Sequence, residues 1–157
     1  TVIKLVRVDH RLIHGQVAFS WTKYLDADCV LLASDALMAD ELKKSALRVA
    51  APSGIKLVMK SIDDSAAALN SGVTDKYKLF ILLESIEDAY RLSEKTDSIK
   101  HINLGGIKSD PKKKQISKAV FVNEEDVRLL KKMSERGIKL EIRLVPNDFE
   151  QDPMGLI

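Results

Sequence analysis

Short apolar runs alternate along this chain with segments of helical period, and this alternation restricts the fold more than any other feature. The first four runs are almost continuously apolar, which is typical of strands covered on both faces. Strands joined by helices in this way form parallel sheets. The predicted strands lie at 2–8, 29–33, 55–59, 79–83, 101–104, 119–122 and 138–144. We therefore expect one α/β domain over residues 1–157. It should have three layers, in which a mostly parallel, open sheet of about seven strands carries helices on both faces.

The final predicted strand and the helix ends carry recognisable local patterns. Residues 138–144 alternate strictly between apolar and polar side chains, so we expect one face of this strand to meet solvent near a sheet edge. Such an edge strand could run antiparallel to the others. Helix starts are marked by Ser61, Ser85 and Asn123, each followed by acidic residues that suit the positive end of a helix dipole. Gly137 is expected to end the last helix.

The composition excludes several classes of protein. With 157 residues, 45% of them hydrophobic, the chain can bury a substantial core. Its 25 basic and 23 acidic side chains leave a formal charge of only +2, so no overall field favours nucleic acid. The single cysteine, Cys29, permits no internal disulfide, and its apolar surroundings predict a buried thiol in a reducing compartment. No apolar run approaches the roughly 18 residues of a spanning helix and no secretory leader is evident, so we expect a soluble, cytoplasmic protein.

The stretch that carries the chemistry is residues 8–17, Val-Asp-His-Arg-Leu-Ile-His-Gly-Gln-Val, where an apolar strand gives way to an amphipathic helix. A histidine that carries a phosphoryl group needs a neutral ring nitrogen for attack, and then cations to meet the new charge. Arg7 and Arg11 can serve both needs, because their charge opposes protonation of His14 and later attracts a phosphoryl dianion. His14 is therefore the candidate nucleophile, with Arg7 and Arg11 as catalytic partners. Which ring nitrogen of His14 is free stays open at this point.

The neighbours of His14 extend this interpretation. Gly15 lets backbone N–H groups at a helix start approach a phosphate closely, and Gln16 can donate from its amide. Asp9 is predicted to orient its neighbours, either by holding Arg11 or by fixing the tautomer of His14. These three residues are assigned to a phosphate-binding, active-site loop.

In an open parallel sheet, ligands gather beyond the carboxyl ends of the strands. This rule brings further residues to the edge that carries the candidate histidine. They are possible walls of an active site: Asp35, Ser85, Asn103, Gly105 and Gly106. Asp35 could instead cap a helix after the second strand, and the double glycine could form an ordinary turn.

Together these residues resemble the enzyme IIB components of the mannose/fructose/sorbose class of the bacterial sugar phosphotransferase system. The family pattern around the phosphorylated histidine, Asp-x-Arg-Leu-Ile-His-Gly-Gln-Val, is present in full at residues 9–17, and Trp21 follows on the first helix. Later signatures occur in the expected order at 34–35, 40–41, 50–54 and 103–106. The chain departs from the pattern at His10 and at residues 36–38.

The resemblance implies a cytoplasmic phosphocarrier that is peripherally associated with a membrane permease. Such a subunit accepts a phosphoryl group from a IIA protein or domain on His14, and passes it to a sugar that enters through the IIC and IID membrane components. No cofactor, metal ion or nucleic acid is expected. The sugar stays open among mannose, fructose, sorbose, N-acetylgalactosamine and related amino sugars, and a homo-oligomer is possible.

Two other functions remain open from the residues alone. A small-molecule-binding α/β module would use the same edge of the sheet without covalent chemistry. A metal-dependent hydrolase would use His10 and His14, which are four residues apart, with Asp9 or His101 as a further ligand. The two neighbouring arginines would repel a dication, which argues against the hydrolase.

Overall fold

The computed structural model describes residues 2–157, in which strands and helices alternate as the apolar runs predict. The strands are β1 Val2–Asp9, β2 Cys29–Ala33, β3 Lys56–Lys60, β4 Lys78–Leu83, β5 His101–Gly106, β6 Lys114–Ser117, β7 Val120–Val122 and β8 Lys139–Ile142. The helices are α1 Gly15–Leu25, α2 Asp35–Met38, α3 Glu41–Ala50, α4 Ile62–Ser71, α5 Ile86–Lys95 and α6 Glu124–Glu135, with a short 3-10 helix at Pro153–Gly155. None of the helices in residues 2–157 combines the length and the apolar character that crossing a membrane requires.

Six strands form one parallel sheet in the order β3-β2-β4-β1-β5-β8. The expected fold class, a three-layer α/β fold with a mostly parallel sheet, is confirmed. Within the described residues this sheet has six strands rather than about seven, because the run at 119–122 pairs antiparallel with β6 in a separate hairpin. The edge strand β8 pairs parallel with β5. In residues 2–157, the antiparallel pairing at this edge is an isolated bridge between Ile142 and Gln151.

Two apolar cores, one on each face of the sheet, hold the helices in place. Successive strand residues point to opposite faces, so alternate residues of one strand enter different cores. One core joins the sheet to α4, α5 and α6, and its members on β2 are Cys29, Leu31 and Ala33. The other joins the sheet to α1, α2 and α3, and takes Val30 and Leu32 from β2. The expected helices on both faces are therefore present, and Cys29 is buried as predicted.

The predicted helix starts are confirmed at three helices. Ser61, Ser85 and Asn123 are the N-cap residues of α4, α5 and α6. Each side chain accepts a hydrogen bond from the backbone N–H three residues later, which satisfies one of the unpaired donors of the first turn. Gly137 follows the end of α6 with a φ of 87°, the left-handed conformation that commonly ends a helix.

The edge strand β8 is less exposed than its alternating pattern predicts. Lys139 faces solvent, but Glu141 is only 1% exposed. The Glu141 carboxylate lies 2.8 Å from Nε2 of His101 and 3.3 Å from Nε of Arg143. Burial raises the pKa of Glu141, but its contacts with His101 and Arg143 outweigh burial and leave this pKa below its usual value. The prediction of a solvent-facing side is therefore wrong at Glu141, whose carboxylate meets His101 and Arg143 instead of water.

The first turn of α5 contains a carboxyl group whose burial is unfavourable. Burial raises the pKa of Asp88 to about 6; Arg91 opposes this shift, and the carboxylates of Glu84 and Asp35 reinforce it. Because this pKa exceeds that of an unfolded aspartate, the protein loses stability as the pH rises from about 4 to about 6. We expect Asp88→Asn to raise the free energy of unfolding by about 1 kcal/mol near pH 8, and to bring no gain near pH 4.

Urea unfolding at the two pH values measures this difference. Glu87→Gln, an exposed carboxylate in the same turn, is the matched control and should change stability little at either pH. An Asp88→Asn variant no more stable than the parent near pH 8 would contradict the unfavourable burial.

Candidate functional site

The loop between β1 and α1 is anchored by two apolar side chains. Leu12 and Ile13 are buried in the core beneath α1. Leu12 has a left-handed φ of 58°, a conformation that costs about 1 kcal/mol, and its burial offsets this strain. With these two residues pointing inward, Arg11 and His14 remain at the surface, where their side chains are 46% and 22% exposed.

Asp9, the last residue of β1, is the centre of the site. Its buried carboxylate lies 3.0 Å from Nε2 of His14 and accepts a hydrogen bond of 3.0 Å from the backbone N–H of Arg11. Guanidinium nitrogens of Arg7 and Arg11 each lie 3.5 Å from the same carboxylate. The residue predicted to hold Arg11 or His14 therefore contacts both. Because Nε2 of His14 faces Asp9, Nδ1 is the ring nitrogen that points away from this partner.

Arg7 is far more buried than expected for a residue that meets a phosphoryl group. Its side chain is 2% exposed and donates hydrogen bonds to Oδ1 of Asn103 and to the backbone carbonyls of Arg143 and Leu144, at 2.7, 2.9 and 2.9 Å. Burial lowers the pKa of Arg7 to about 10, and the charge of Asp9 limits this fall. Arg7 therefore ties Asp9 to the chain that follows β8.

The Asn103-Leu104-Gly105-Gly106 stretch ends β5, directly beside β1. A Cβ atom on Gly105 would overlap the guanidinium of Arg7, so a glycine is required for that side chain to fit. A Cβ atom on Gly106 would come within 3.3 Å of the Asp9 carboxylate. Asn103 is fully buried and binds Arg7. The residues of this stretch that were predicted to line the site thus surround Arg7 and Asp9.

Three residues that were not predicted as site residues complete this network. The indole N–H of Trp21 donates to the carbonyl of Leu144 at 3.0 Å, the same carbonyl that binds Arg7. The guanidinium carbons of Arg7 and Arg143 lie 5.1 and 5.0 Å from the centre of the Trp21 ring, within cation–π range. From the sequence, Trp21 is noted only as a residue of the first helix that belongs to the family pattern, and the other two are missed; in the structure Trp21 is fully buried. The available signal was Arg7 itself, because an arginine inside an apolar strand needs buried acceptors.

His14 is also the N-cap residue of α1, and its side chain makes no capping hydrogen bond. The first backbone N–H groups of a helix have no partner within the helix, so those of Gly15 and Gln16 are left for other acceptors. Gly15 has a φ of 45°, which favours glycine, and both residues are exposed. The start of α1 therefore presents an open surface beside His14, at the positive end of the helix dipole.

Asp35 and Ser85 follow neighbouring strands but make different contacts. Asp35 is not a helix N-cap, because the preceding serine caps α2. The Asp35 carboxylate accepts a hydrogen bond from the N–H of Ile62 at 2.9 Å and pairs with Arg91 at 2.8 Å, and these two bonds lower its pKa. Ser85 caps α5. Among the described residues, the hydrogen bonds of Asp35 and Ser85 do not reach Asp9.

A metal site has little support in this geometry. No group of three or more His, Cys, Asp and Glu side chains in residues 2–157 is arranged to hold a metal ion. His10 and His14 both approach Asp9, at 4.0 and 3.0 Å, but the two guanidiniums beside the same carboxylate oppose a dication there.

Comparisons with known proteins point to one family. The family model described as PTS system sorbose subfamily IIB component matches residues 3–157. The fructose-specific EIIB component of Bacillus subtilis is 35% identical over 150 residues, which cover 96% of this chain and 92% of that protein. The mannose-specific EIIAB component of Escherichia coli is also 35% identical, over 99% of this chain and 48% of the longer relative.

The three-dimensional structure leads to the same family. The crystal structure of the IIBSor domain of the sorbose permease from Klebsiella pneumoniae matches with a TM-score of 0.94 at 30% identity, covering 99% of this chain and 95% of that domain. The family model, the fructose-specific relative and the solved structure each match nearly all of this chain. This protein therefore belongs to the sorbose-subfamily IIB components of the bacterial sugar phosphotransferase system.

Proposed function

We propose that this protein is a phosphocarrier, which receives a phosphoryl group on Nδ1 of His14 from a partner phosphohistidine and passes it to a sugar. The observation that carries the proposal is the 3.0 Å contact between Nε2 of His14 and the buried carboxylate of Asp9. A carboxylate favours the proton on the ring nitrogen that faces it, which leaves the lone pair on Nδ1. Membership of the IIB family supports the same chemistry.

Two substitutions at phosphorus make up the proposed reaction. In the first, the Nδ1 lone pair of His14 attacks phosphorus as the N–P bond of the donor breaks, and the donor imidazole keeps that electron pair. Nε2 of His14 retains its proton, so the ring becomes positive and the Asp9 carboxylate offsets that charge. In the second, a sugar hydroxyl oxygen attacks the same phosphorus, the N–P electron pair returns to Nδ1, and the hydroxyl proton leaves to solvent.

The groups around His14 suit a transferring negative charge. The side chain of Arg11 contacts Asp9 through Nε. The other N–H donors of its exposed guanidinium can turn toward a phosphoryl group on Nδ1 of His14. The N–H groups of Gly15 and Gln16 add donors at the positive end of α1. We assign Arg7 an indirect role, because its donors already bind protein acceptors and its guanidinium holds Asp9. These parts act by positioning and charge and require no cofactor.

The proposed partners follow from the family. The E. coli relative is named EIIAB, and we propose that a IIA protein or domain is the phosphoryl donor here. The acceptor would be a sugar held by membrane IIC and IID components, with this chain on the cytoplasmic side. The relatives are named as fructose-specific, mannose-specific and part of a sorbose permease, and we propose a sugar of this kind.

The test is to incubate the purified protein with a phosphorylated IIA donor and to determine the intact mass. We expect the gain of one phosphoryl group, labile in acid, and its assignment to Nδ1 by nitrogen–phosphorus NMR. An unchanged mass would contradict the carrier and favour a module that binds a small molecule without covalent chemistry. Phosphorus on Nε2 would contradict the role given to Asp9.

Arg11→Ala is expected to slow phosphoryl transfer to His14 by roughly 10- to 100-fold. A guanidinium–phosphate hydrogen bond contributes about 1.5 to 3 kcal/mol, which corresponds to a rate change of this order. Quench-flow measurement of phosphate uptake gives the rate. Arg48→Ala, which removes an exposed arginine from the last turn of α3, is the matched control and should transfer at the parent rate. Equal rates for Arg11→Ala and the parent would remove Arg11 from the mechanism.

A further inference from the structure

A cleft between the edge strand β3 and the helix α4 plays no part in the proposed reaction. It has a volume of about 370 Å³ and lies on the face of the sheet that α4, α5 and α6 cover. Its floor includes Leu31, Val58 and Leu79, one residue from each of three neighbouring strands. On the helix side α4 contributes Ala68, whose short side chain leaves the space above the floor unfilled. A volume of this size lies within the range of small-molecule sites.

Cationic groups stand around this apolar floor. Lys56, Val58 and Lys60 are alternate residues of β3, so their side chains lie on the same face of the strand. Lys76 comes from the segment after α4. Nζ of Lys56 donates to the Tyr77 hydroxyl at 2.7 Å, and Nζ of Lys76 lies 5.2 Å from the centre of the Tyr77 ring. Three lysines therefore concentrate positive charge at this cleft.

We propose that this cleft binds a small molecule with a ring-sized apolar body and one anionic group. The apolar body would pack against Val58 and the ring of Tyr77, which are both partly exposed, and removing their apolar surface from water favours binding. The anionic group, a carboxylate, sulfonate or phosphate, would pair with the ammonium groups of Lys60 and Lys76, which line the cleft. The Tyr77 ring would form a side wall of the cleft. This site is separate from His14 and does not rest on the phosphocarrier function.

The probe for this site is 8-anilinonaphthalene-1-sulfonate, an aromatic sulfonate that becomes fluorescent in apolar surroundings. Its matched control is N-phenyl-1-naphthylamine, which has the same rings without the sulfonate. We expect one sulfonate probe to bind per chain, about tenfold more tightly than the uncharged amine. Equal affinities for the two compounds would overturn the proposal.

Two sets of variants separate the charged rim from the floor. The double variant Lys60→Ala/Lys76→Ala should weaken the sulfonate about tenfold and leave the amine unchanged, whereas Lys131→Ala, an exposed lysine of α6, should affect neither. Ala68→Leu should fill the cleft and abolish binding of both compounds while the circular dichroism spectrum stays that of the parent. Unchanged binding in the double variant or in a folded Ala68→Leu protein would overturn the proposal.

An NMR titration of the unaltered protein gives the location even if Ala68→Leu does not fold. We expect the largest shifts of amide resonances at Leu31, Val58, Ala68 and Leu79. Largest shifts along α1, where Phe19 is half exposed, would place the probe elsewhere and overturn the proposal.

Discussion

Replacing His14 with alanine is expected to abolish acid-labile phosphate uptake from a phosphorylated IIA donor. The imidazole supplies the lone pair that forms the N–P bond, and an alanine side chain has no nucleophile. Because the His14 side chain makes no capping hydrogen bond at the start of α1, the variant should keep the fold of the parent, with a small fall in unfolding temperature from loss of the contact with Asp9. Intact mass after incubation with the donor, together with thermal unfolding, measures both effects.

His10→Ala is the matched control for this experiment. His10 lies four residues before His14, also approaches the Asp9 carboxylate, and has a side chain that is 35% exposed. Full phosphate uptake is expected in His10→Ala. Uptake that persists in His14→Ala and is lost in His10→Ala would move the acceptor to His10 and overturn the assignment.

Gly105→Ala is expected to lower the free energy of unfolding by about 3 kcal/mol and to slow phosphoryl transfer. The added Cβ atom would overlap the Arg7 guanidinium, which would have to leave its bonds to Asn103 and to two backbone carbonyls. Overpacking a rigid interior costs about 1 to 3 kcal/mol, and loss of partners around a buried charge adds to this cost. Transfer should slow because Asp9 loses the contact with Arg7 that helps to hold it beside His14.

Urea unfolding measures the change in stability, and Gly155→Ala serves as the control. No atom lies within 4 Å of a Cβ atom built on Gly155, so this variant should match the parent. The overlap itself is tested by adding Gly105→Ala to an Arg7→Ala background, where the second substitution should cost far less. Equal costs in both backgrounds would show that Arg7 is not what the added methyl group meets.

The parallel sheet could be predicted because it depends on local pattern. The run at Cys29–Ala33 is apolar at every position since its strand is buried on both faces, and Ser61, Ser85 and Asn123 mark helix starts by their own side chains. The hairpin at Val120–Val122 could not be distinguished from a strand of the main sheet. A short apolar run has the same appearance in either place, and only its partner strand decides.

The candidate site also has a part that could be predicted from local sequence and a part that could not. Asp9, Arg11 and His14 lie within six consecutive residues, so their meeting follows from one short loop and could be predicted. The environment of Arg7 could not, because its hydrogen-bond acceptors lie 96 to 137 positions further along the chain. Glu141 is a similar case, since its burial depends on His101, on another strand. Composition and periodicity carry no information about such distant pairs.

The position of Trp21 has a practical consequence for spectroscopy. It is the sole tryptophan of the chain, its indole N–H shares a carbonyl acceptor with Arg7, and the Arg7 guanidinium lies over its ring. Indole emission shifts with the local electric field, and through Arg7 and Asp9 this field is coupled to any charge that arrives at His14. Intrinsic fluorescence in a stopped-flow instrument can therefore follow events at the imidazole in real time, without a label.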